Sequence, residues 1–256
     1  IASVKLGIPV GHLEAGLRSF DRTMPEEINR ILTDQIADLL FTTEESANVN
    51  LVREGVSTEK IHFVGNVMID TLLQHKKKAL SLNVLEKYSL KPKGFALLTL
   101  HRPSNVDSPN VLAGILFALA EIQSKLPILF PAHPRTTKRI NEFGFEQRLN
   151  KMTSLKIIDP IGYLEFLNLM ANSRMVMTDS GGIQEETTIL GIPCLTLREN
   201  TERPVTVTEG TNTIVGSNPK KIIKEAFSVL DGKHKENRIP KLWDGNAAKR
   251  IVDILR

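Results

Sequence analysis

Short β-branched or apolar runs alternate with longer segments of helical period along most of this chain, and that alternation is the signature of α/β units built on a parallel sheet. Strand-like runs fall at 8–13, 39–42, 61–64, 95–100, 128–131, 156–158, 174–178 and 193–197, with helical stretches between them. Pro25 followed by Glu26 and Glu27 predicts a helix start, because proline suits the first turn and acids there complement the helix dipole. The stretch from Thr43 to Glu54 offers a threonine cap, two early acids and then Gly55 as a stop. Residues 76–93 differ: a lysine cluster, few turn signals before Pro92 and Gly94, and no strand-like run predict a helical connector. It follows Gly65 and Asn66, where a first domain ends.

From Phe95 to about Asn218 strands and helices alternate as in a nearly complete doubly wound domain. The part before Gly65 holds only three strands and reads as the rear half of another such domain. The expectation is therefore a chain truncated at its front, in keeping with 256 residues that begin at Ile1. The final stretch, 245–256, carries Ala247, Ala248, Ile251, Val252 and Leu255 on one helical face, and the first domain offers a surface for it. The expected division is thus 1–66 for the first domain, 67–244 for the second with its connector, and 245–256 for the returning helix.

Composition excludes several classes. Apolar residues make up 41% and charged residues 24%, the balance of a folded globular chain. The longest apolar stretch, Val111 to Ala120, ends at Glu121, well short of the roughly 20 residues that cross a bilayer, so no membrane partner is expected. The net charge of +4 is dispersed among 29 acids, which argues against a nucleic-acid footprint. A lone cysteine, Cys194, has no internal partner, and a reducing cytoplasm fits best.

The most specific local feature is the segment from Thr178 to Glu186, which reads Thr-Asp-Ser-Gly-Gly-Ile-Gln-Glu-Glu where an apolar strand turns into a helix. Gly181 and Gly182 let a phosphate approach the free amides of a helix N-terminus, and Ser180 adds a hydroxyl donor. Glu186 suits ribose hydroxyls better than phosphate, because a carboxylate repels an anion. The bland reading is a capped tight turn; the sheet-edge placement favours a nucleotide. This is neither a P-loop nor a dinucleotide fingerprint. Downstream, Arg203 suits a diphosphate or is a surface arginine, and Phe166 suits a base or one face of a helix.

A second constellation lies near the start, where His12-Leu13-Glu14-Ala15-Gly16-Leu17-Arg18 precedes Pro25-Glu26-Glu27-Ile28-Asn29-Arg30. Glu14 leaves a strand and Glu26 opens the next helix, so both face one sheet-edge crevice. Two carboxylates there serve a reaction that removes a proton from one face and returns it on another. The alternatives are a loop acid paired with Arg18 and a helix-start acid, the latter preferred for Glu27. His101 and Arg102 end the first strand of the complete domain, and His133 is similarly placed after the next. They either steady phosphates or cap loops. The histidines show no metal-ligand spacing, and no metal site is read.

Together these segments, with Gly65-Asn66, His101-Arg102 and Thr201-Glu202-Arg203-Pro204 in the same order, resemble the non-hydrolysing UDP-N-acetylglucosamine 2-epimerases. The resemblance covers essentially the whole chain. It implies two Rossmann-like α/β domains in a glycosyltransferase-B-like arrangement, the first incomplete at its N-terminus and lacking an early Gly-Thr-Arg-Pro-Glu segment and a catalytic aspartate. It also implies a cytoplasmic homodimer that interconverts UDP-N-acetylglucosamine and UDP-N-acetylmannosamine with neither nicotinamide nor metal. By the same resemblance Glu14, Glu26 and His101 are catalytic. Arg18, Phe166, Ser180, Gly181, Gly182, Glu186 and Arg203 bind substrate, while Arg102 and His133 belong to a regulatory site. One departure bears on that last expectation: His101-Arg102-Pro103-Ser104-Asn105 stands where many bacterial members have His-Arg-Arg-Glu-Asn. Alternatives are an epimerase of a UDP-diacetamido-uronic acid, a UDP-sugar glycosyltransferase of the same fold, and a nucleotide-sugar-binding fragment without catalysis.

Overall fold

A computed structural model describes residues 1–256. They form two compact α/β units, one of Ile1–Gln74, Thr201–Glu209 and Ile239–Arg256, the other of His75–Asn200 and Gly210–Arg238. These bounds depart from the expected division: the first unit runs to Gln74, and it takes in the segment carrying Arg203, which sequence order alone had assigned to the second domain. No helix is long and apolar enough to cross a membrane.

The first unit holds three parallel strands, β1 (Gly11–Ala15), β2 (Leu39–Thr42) and β3 (Ile61–Phe63), in that order across the sheet. The first strand starts later than the expected 8–13. Pro9 has no amide to give to a ladder, and the Val10 amide donates instead to Asp38 at 2.8 Å. Alternation along β2 separates two small cores. Leu40 packs with Ala15, Ala37 and Leu51, whereas Phe41 packs with Val64 and with Ile251 of the last helix, Ala247–Leu255. That helix is tied down at its start, where Asp70 accepts from the Ala247 and Ala248 amides at 3.1 and 2.7 Å. Its buried stripe is narrower than the apolar pattern suggested, since Val252 and Leu255 remain 47% and 60% exposed.

Two further features close this unit. Trp243, 2% exposed, donates its indole N–H to the Thr43 carbonyl at 2.8 Å. Gly65 adopts φ 90, and an added Cβ would stand 2.1 Å from the Leu242 carbonyl oxygen, so both backbone conformation and space demand glycine there.

The second unit holds six parallel strands: β4 (Ala96–Thr99), β5 (Ile128–Pro131), β6 (Leu155–Ile158), β7 (Met175–Thr178), β8 (Cys194–Thr196) and β9 (Asn212–Ile214). Their order is β6-β5-β4-β7-β8-β9, so winding reverses between β4 and β7, as in doubly wound dinucleotide folds. Strand β9 had no sequence signal: it is three residues long and two of them are polar. The lysine-rich connector is two helices, Val67–Leu80 and Val84–Tyr88. Asn168 seals the break between them by donating to the Ala79 and Leu82 carbonyls at 2.9 and 3.1 Å. Cys194 is fully buried, and burial pushes its thiol up to about 11, which makes it a packing residue rather than a nucleophile.

Helix Glu45–Arg53 begins one residue later than the expected threonine cap, with Glu44 at the cap position and no side chain capping it. Glu44 is 3% exposed; burial pushes its carboxyl up to about 7 despite a hydrogen bond from Ser46, the Val205 backbone and the charge of Arg203, with Glu209 adding to the rise. One of its oxygens, Oε2, is buried with no hydrogen-bond partner, which adds to the cost of the charged form.

Two outcomes are expected. Because the folded state holds the Glu44 proton more tightly than the unfolded chain, stability falls as pH rises from about 4.5 to about 7. Relative to Glu44→Gln, the unsubstituted protein should lose up to ~3 kcal/mol across that window, read by denaturant melts at each pH. Gly65→Ala should destabilise by at least ~2 kcal/mol in the same assay, the size expected of a strained backbone in a closed space.

Candidate active site

In an open parallel sheet, ligands sit outside the carboxyl ends of the strands where winding reverses. In the second unit that place lies between β4 and β7, and the loops leaving these strands carry His101 and Ser180. One buried side chain holds both loops. The Asp179 carboxylate accepts from the His101 and Arg102 amides at 2.9 and 2.8 Å and from Asn105 Nδ2 at 3.1 Å. It also lies 3.0 Å from His101 Nδ1. Burial favours the neutral acid, but the His101 ring and the two amides outweigh it and hold Asp179 below the usual carboxylate range. With Nδ1 committed to Asp179, the half-exposed imidazole keeps Nε2 for a ligand. Asp179 lay inside the quoted motif, yet nothing in its spacing assigned it this role.

Ser180 is the N-cap of helix Gly181–Leu190, and its own side chain makes no capping bond. Its amide donates to Thr178 Oγ1 at 3.0 Å. Neither Gly181 nor Gly182 has positive φ, so backbone conformation does not demand them. A Cβ on Gly182 would meet nothing within 4 Å. The protein itself leaves that space open at a helix N-terminus, which is where an anion approaches. One turn into the helix Glu186 is buried and accepts a 2.9 Å hydrogen bond from the Tyr163 hydroxyl. Burial pushes the Glu186 carboxyl up and Tyr163 draws it back; burial and the Glu186 charge likewise raise the Tyr163 phenol. Phe166 is half-buried on the same helix, Tyr163–Asn172. His133 caps helix Pro134–Glu142, its Nδ1 accepting from the Arg135 amide, and its ring centre lies 6.2 Å from that of His101.

In the first unit, Glu14 leaves the β1 ladder where the register shifts between Leu13 and Ala15, and it stands at φ 61. A non-glycine residue held in the left-handed region at a strand's carboxyl end is a strained placement of the kind found at functional sites. The alternative pairing of Glu14 with Arg18 does not occur. Arg18 is 3% exposed, with its Nε and Nη2 on Glu54 and Nη2 also 2.6 Å from Asp34. Burial opposes its charge, but the hydrogen bonds it donates to Glu54 and Asp34 outweigh that and raise its pKa. That guanidinium is committed to shaping the loop. Glu14 instead faces Arg203, with Oε2 3.5 Å from Nη2, and Arg203 Nη1 bonds Glu202 at 2.7 Å. Glu26 is exposed in the first turn of helix Pro25–Ile36. Its neighbour Glu27 does more than complement the helix dipole: buried, it accepts from the Ser19 amide and hydroxyl and from the Phe20 amide at 2.9–3.1 Å.

The second unit thus carries an anion-receptive glycine turn and a ring held by a buried carboxylate, and the first unit carries a strained glutamate facing an arginine. The family described as UDP-N-acetylglucosamine 2-epimerase matches residues 1–256. UDP-N-acetylglucosamine 2-epimerase of Methanococcus maripaludis is 45% identical over 260 residues, an alignment covering 100% of this chain and 70% of that protein. UDP-2,3-diacetamido-2,3-dideoxy-D-glucuronate 2-epimerase of Pseudomonas aeruginosa is 42% identical over 258 residues, with 100% and 70% covered. The crystal structure of Methanocaldococcus jannaschii UDP-GlcNAc 2-epimerase in complex with UDP-GlcNAc and UDP superposes with a TM-score of 0.91 at 47% identity, covering 99% of this chain and 70% of that one. With a match along its whole length, this chain belongs to the UDP-N-acetylglucosamine 2-epimerase family.

Proposed function

We propose that this protein interconverts UDP-N-acetylglucosamine and UDP-N-acetylmannosamine by eliminating UDP and adding it back. The observation that carries this reading is Glu14, a glutamate held at φ 61 at the carboxyl edge of β1 and followed by Glu26 in the first turn of the next helix. A transferase of similar fold has no need of such a carboxylate pair.

The chemistry explains why two acids serve. The hydrogen on C2 of the sugar is not acidic, because no carbonyl is conjugated to that carbon. When the C1–O bond breaks, UDP departs with the electron pair and C1 becomes oxocarbenium-like, so the C2 proton is removable. A carboxylate takes it and a C1–C2 double bond forms, giving 2-acetamidoglucal. A carboxylic acid then returns a proton to C2 on the opposite face while a phosphate oxygen of UDP re-forms the bond to C1. Atoms balance without an external reactant. Glu14 and Glu26 act as this acid/base pair. The Ser180–Gly182 turn receives the diphosphate, Glu186 accepts from the ribose, Phe166 lies along the uracil and His101 faces the departing phosphate; Arg203 is a further UDP contact. The second reading, a UDP-diacetamido-uronate as substrate, draws on the Pseudomonas aeruginosa relative.

Incubated with UDP-N-acetylglucosamine in heavy water, the full-length protein should yield UDP-N-acetylmannosamine carrying deuterium at C2, read by NMR and mass spectrometry. Absence of C2 exchange rejects the proposal, and faster exchange on the diacetamido-uronate assigns the second substrate. Glu14→Gln and Glu26→Gln should each lower exchange by ~100-fold or more while UDP affinity holds. Gly182→Val should raise the UDP dissociation constant by at least ~10-fold with less than ~1 kcal/mol change in stability, because its side chain fills space that the protein leaves open.

A further inference from the structure

We infer that Asp34 is a positioning residue for the reaction, holding Glu14 in its strained conformation by clasping the chain on both sides of it. The inference rests on the epimerase reading and adds to it a residue outside every segment that carries the family resemblance.

Asp34 lies near the end of helix Pro25–Ile36, twenty residues beyond Glu14, with a side chain that is 0% exposed. Its two oxygens reach three residues of the β1 exit. Oδ1 accepts from His12 Nδ1 at 2.6 Å, and Oδ2 accepts from the Gly16 amide at 3.1 Å and lies 2.6 Å from Arg18 Nη2. Glu14 sits between these anchors. The backbone around it is unusual twice over, with φ 61 at Glu14 and φ 75 at Gly16. Gly16 is further pinned: an added Cβ would stand 2.5 Å from the Ala47 carbonyl oxygen, and Asn50 donates to the Gly16 carbonyl at 2.9 Å. A left-handed non-glycine residue costs ~1–3 kcal/mol and persists only where its surroundings over-determine it. Asp34 supplies that constraint. Its own burial as an ion is compensated by Arg18 and His12, and no other requirement of the helix calls for an aspartate there, since aspartate is a poor helix former.

The consequence is geometric. Released from Asp34, the segment from His12 to Arg18 relaxes toward an ordinary extended strand exit, and the Glu14 carboxylate leaves its place beside Arg203. A general base displaced by about 1 Å costs on the order of 100-fold in rate without touching groups that bind the nucleotide.

The test uses the full-length protein with Asp34→Asn, which keeps the shape but turns an NH2 group toward the donors of Gly16 and Arg18 or of His12. Expected are a kcat lower by ~10–100-fold, a KM within ~3-fold of the parent, UDP affinity by calorimetry within ~2-fold, and a larger isotope effect with substrate deuterated at C2. The isotope effect separates positioning from mere stability: a purely structural role lowers the amount of folded enzyme and leaves the effect unchanged, and that result overturns the inference. Should Asp34→Asn not yield folded protein, His12→Asn decides. The same pattern at ~3–10-fold in kcat supports the clasp, and parent-like kcat overturns it. The unsubstituted protein run alongside distinguishes the two failures. No C2 exchange there rejects the epimerase reading itself; exchange there with parent-like kcat, KM and isotope effect in Asp34→Asn rejects the positioning role alone.

Discussion

Parallel pairing puts the carboxyl ends of all strands in a sheet on one edge, and the loops that carry the candidate chemistry here leave from such edges. In the second unit the reversal between β4 and β7 opens a space at that edge, because the helices following these two strands lie on opposite faces of the sheet. His101 and the Ser180–Gly182 turn are set beside it by topology before any side chain is considered. In the first unit the same polarity puts Glu14 at the end of β1 and starts the helix carrying Glu26 soon after it.

Topology brings loops to an edge; it does not hold them in a particular shape. Each unit solves this with a buried aspartate that gathers donors. Asp179 collects two amides, an asparagine and a histidine ring. Asp34 collects a histidine, an amide and an arginine. A carboxylate suits the task because it offers about four acceptor sites and its charge strengthens each bond in a low dielectric. The same property makes it costly to leave short of partners, so the loops are locked as a set. Glu44 is the contrast. It is buried with one oxygen unpartnered, and its carboxyl is driven toward neutrality instead of organising its surroundings.

The two units differ in how their polar groups can answer a ligand. Glu186 spends one oxygen on Tyr163, so the other is an acceptor oriented in advance. Preorganisation of this kind lowers the ordering cost of binding. Glu14 faces Arg203 instead, a charged partner 3.5 Å away.

The alternation of strands and helices, the parallel sheets and the turn from β7 into a helix at Gly181 are legible from residue order, because period and local turn chemistry depend only on neighbours in the chain. Weak local signals mark the exceptions: Pro9 delays β1, β9 is three residues long and mostly polar, and Glu44 takes the cap position in place of Thr43. The segment carrying Arg203 is the sharpest case, since it lies between strands of the second unit in sequence yet packs within the first. Partners distant in the chain were out of reach altogether. Nothing around Asp34 announces that it binds residues 12, 16 and 18, and nothing around Tyr163 announces Glu186. Residue order sets which chemical groups stand at the ends of which strands. The tertiary structure decided how each is held, because a buried carboxylate takes its partners from whatever the fold packs against it, at separations that no local pattern records.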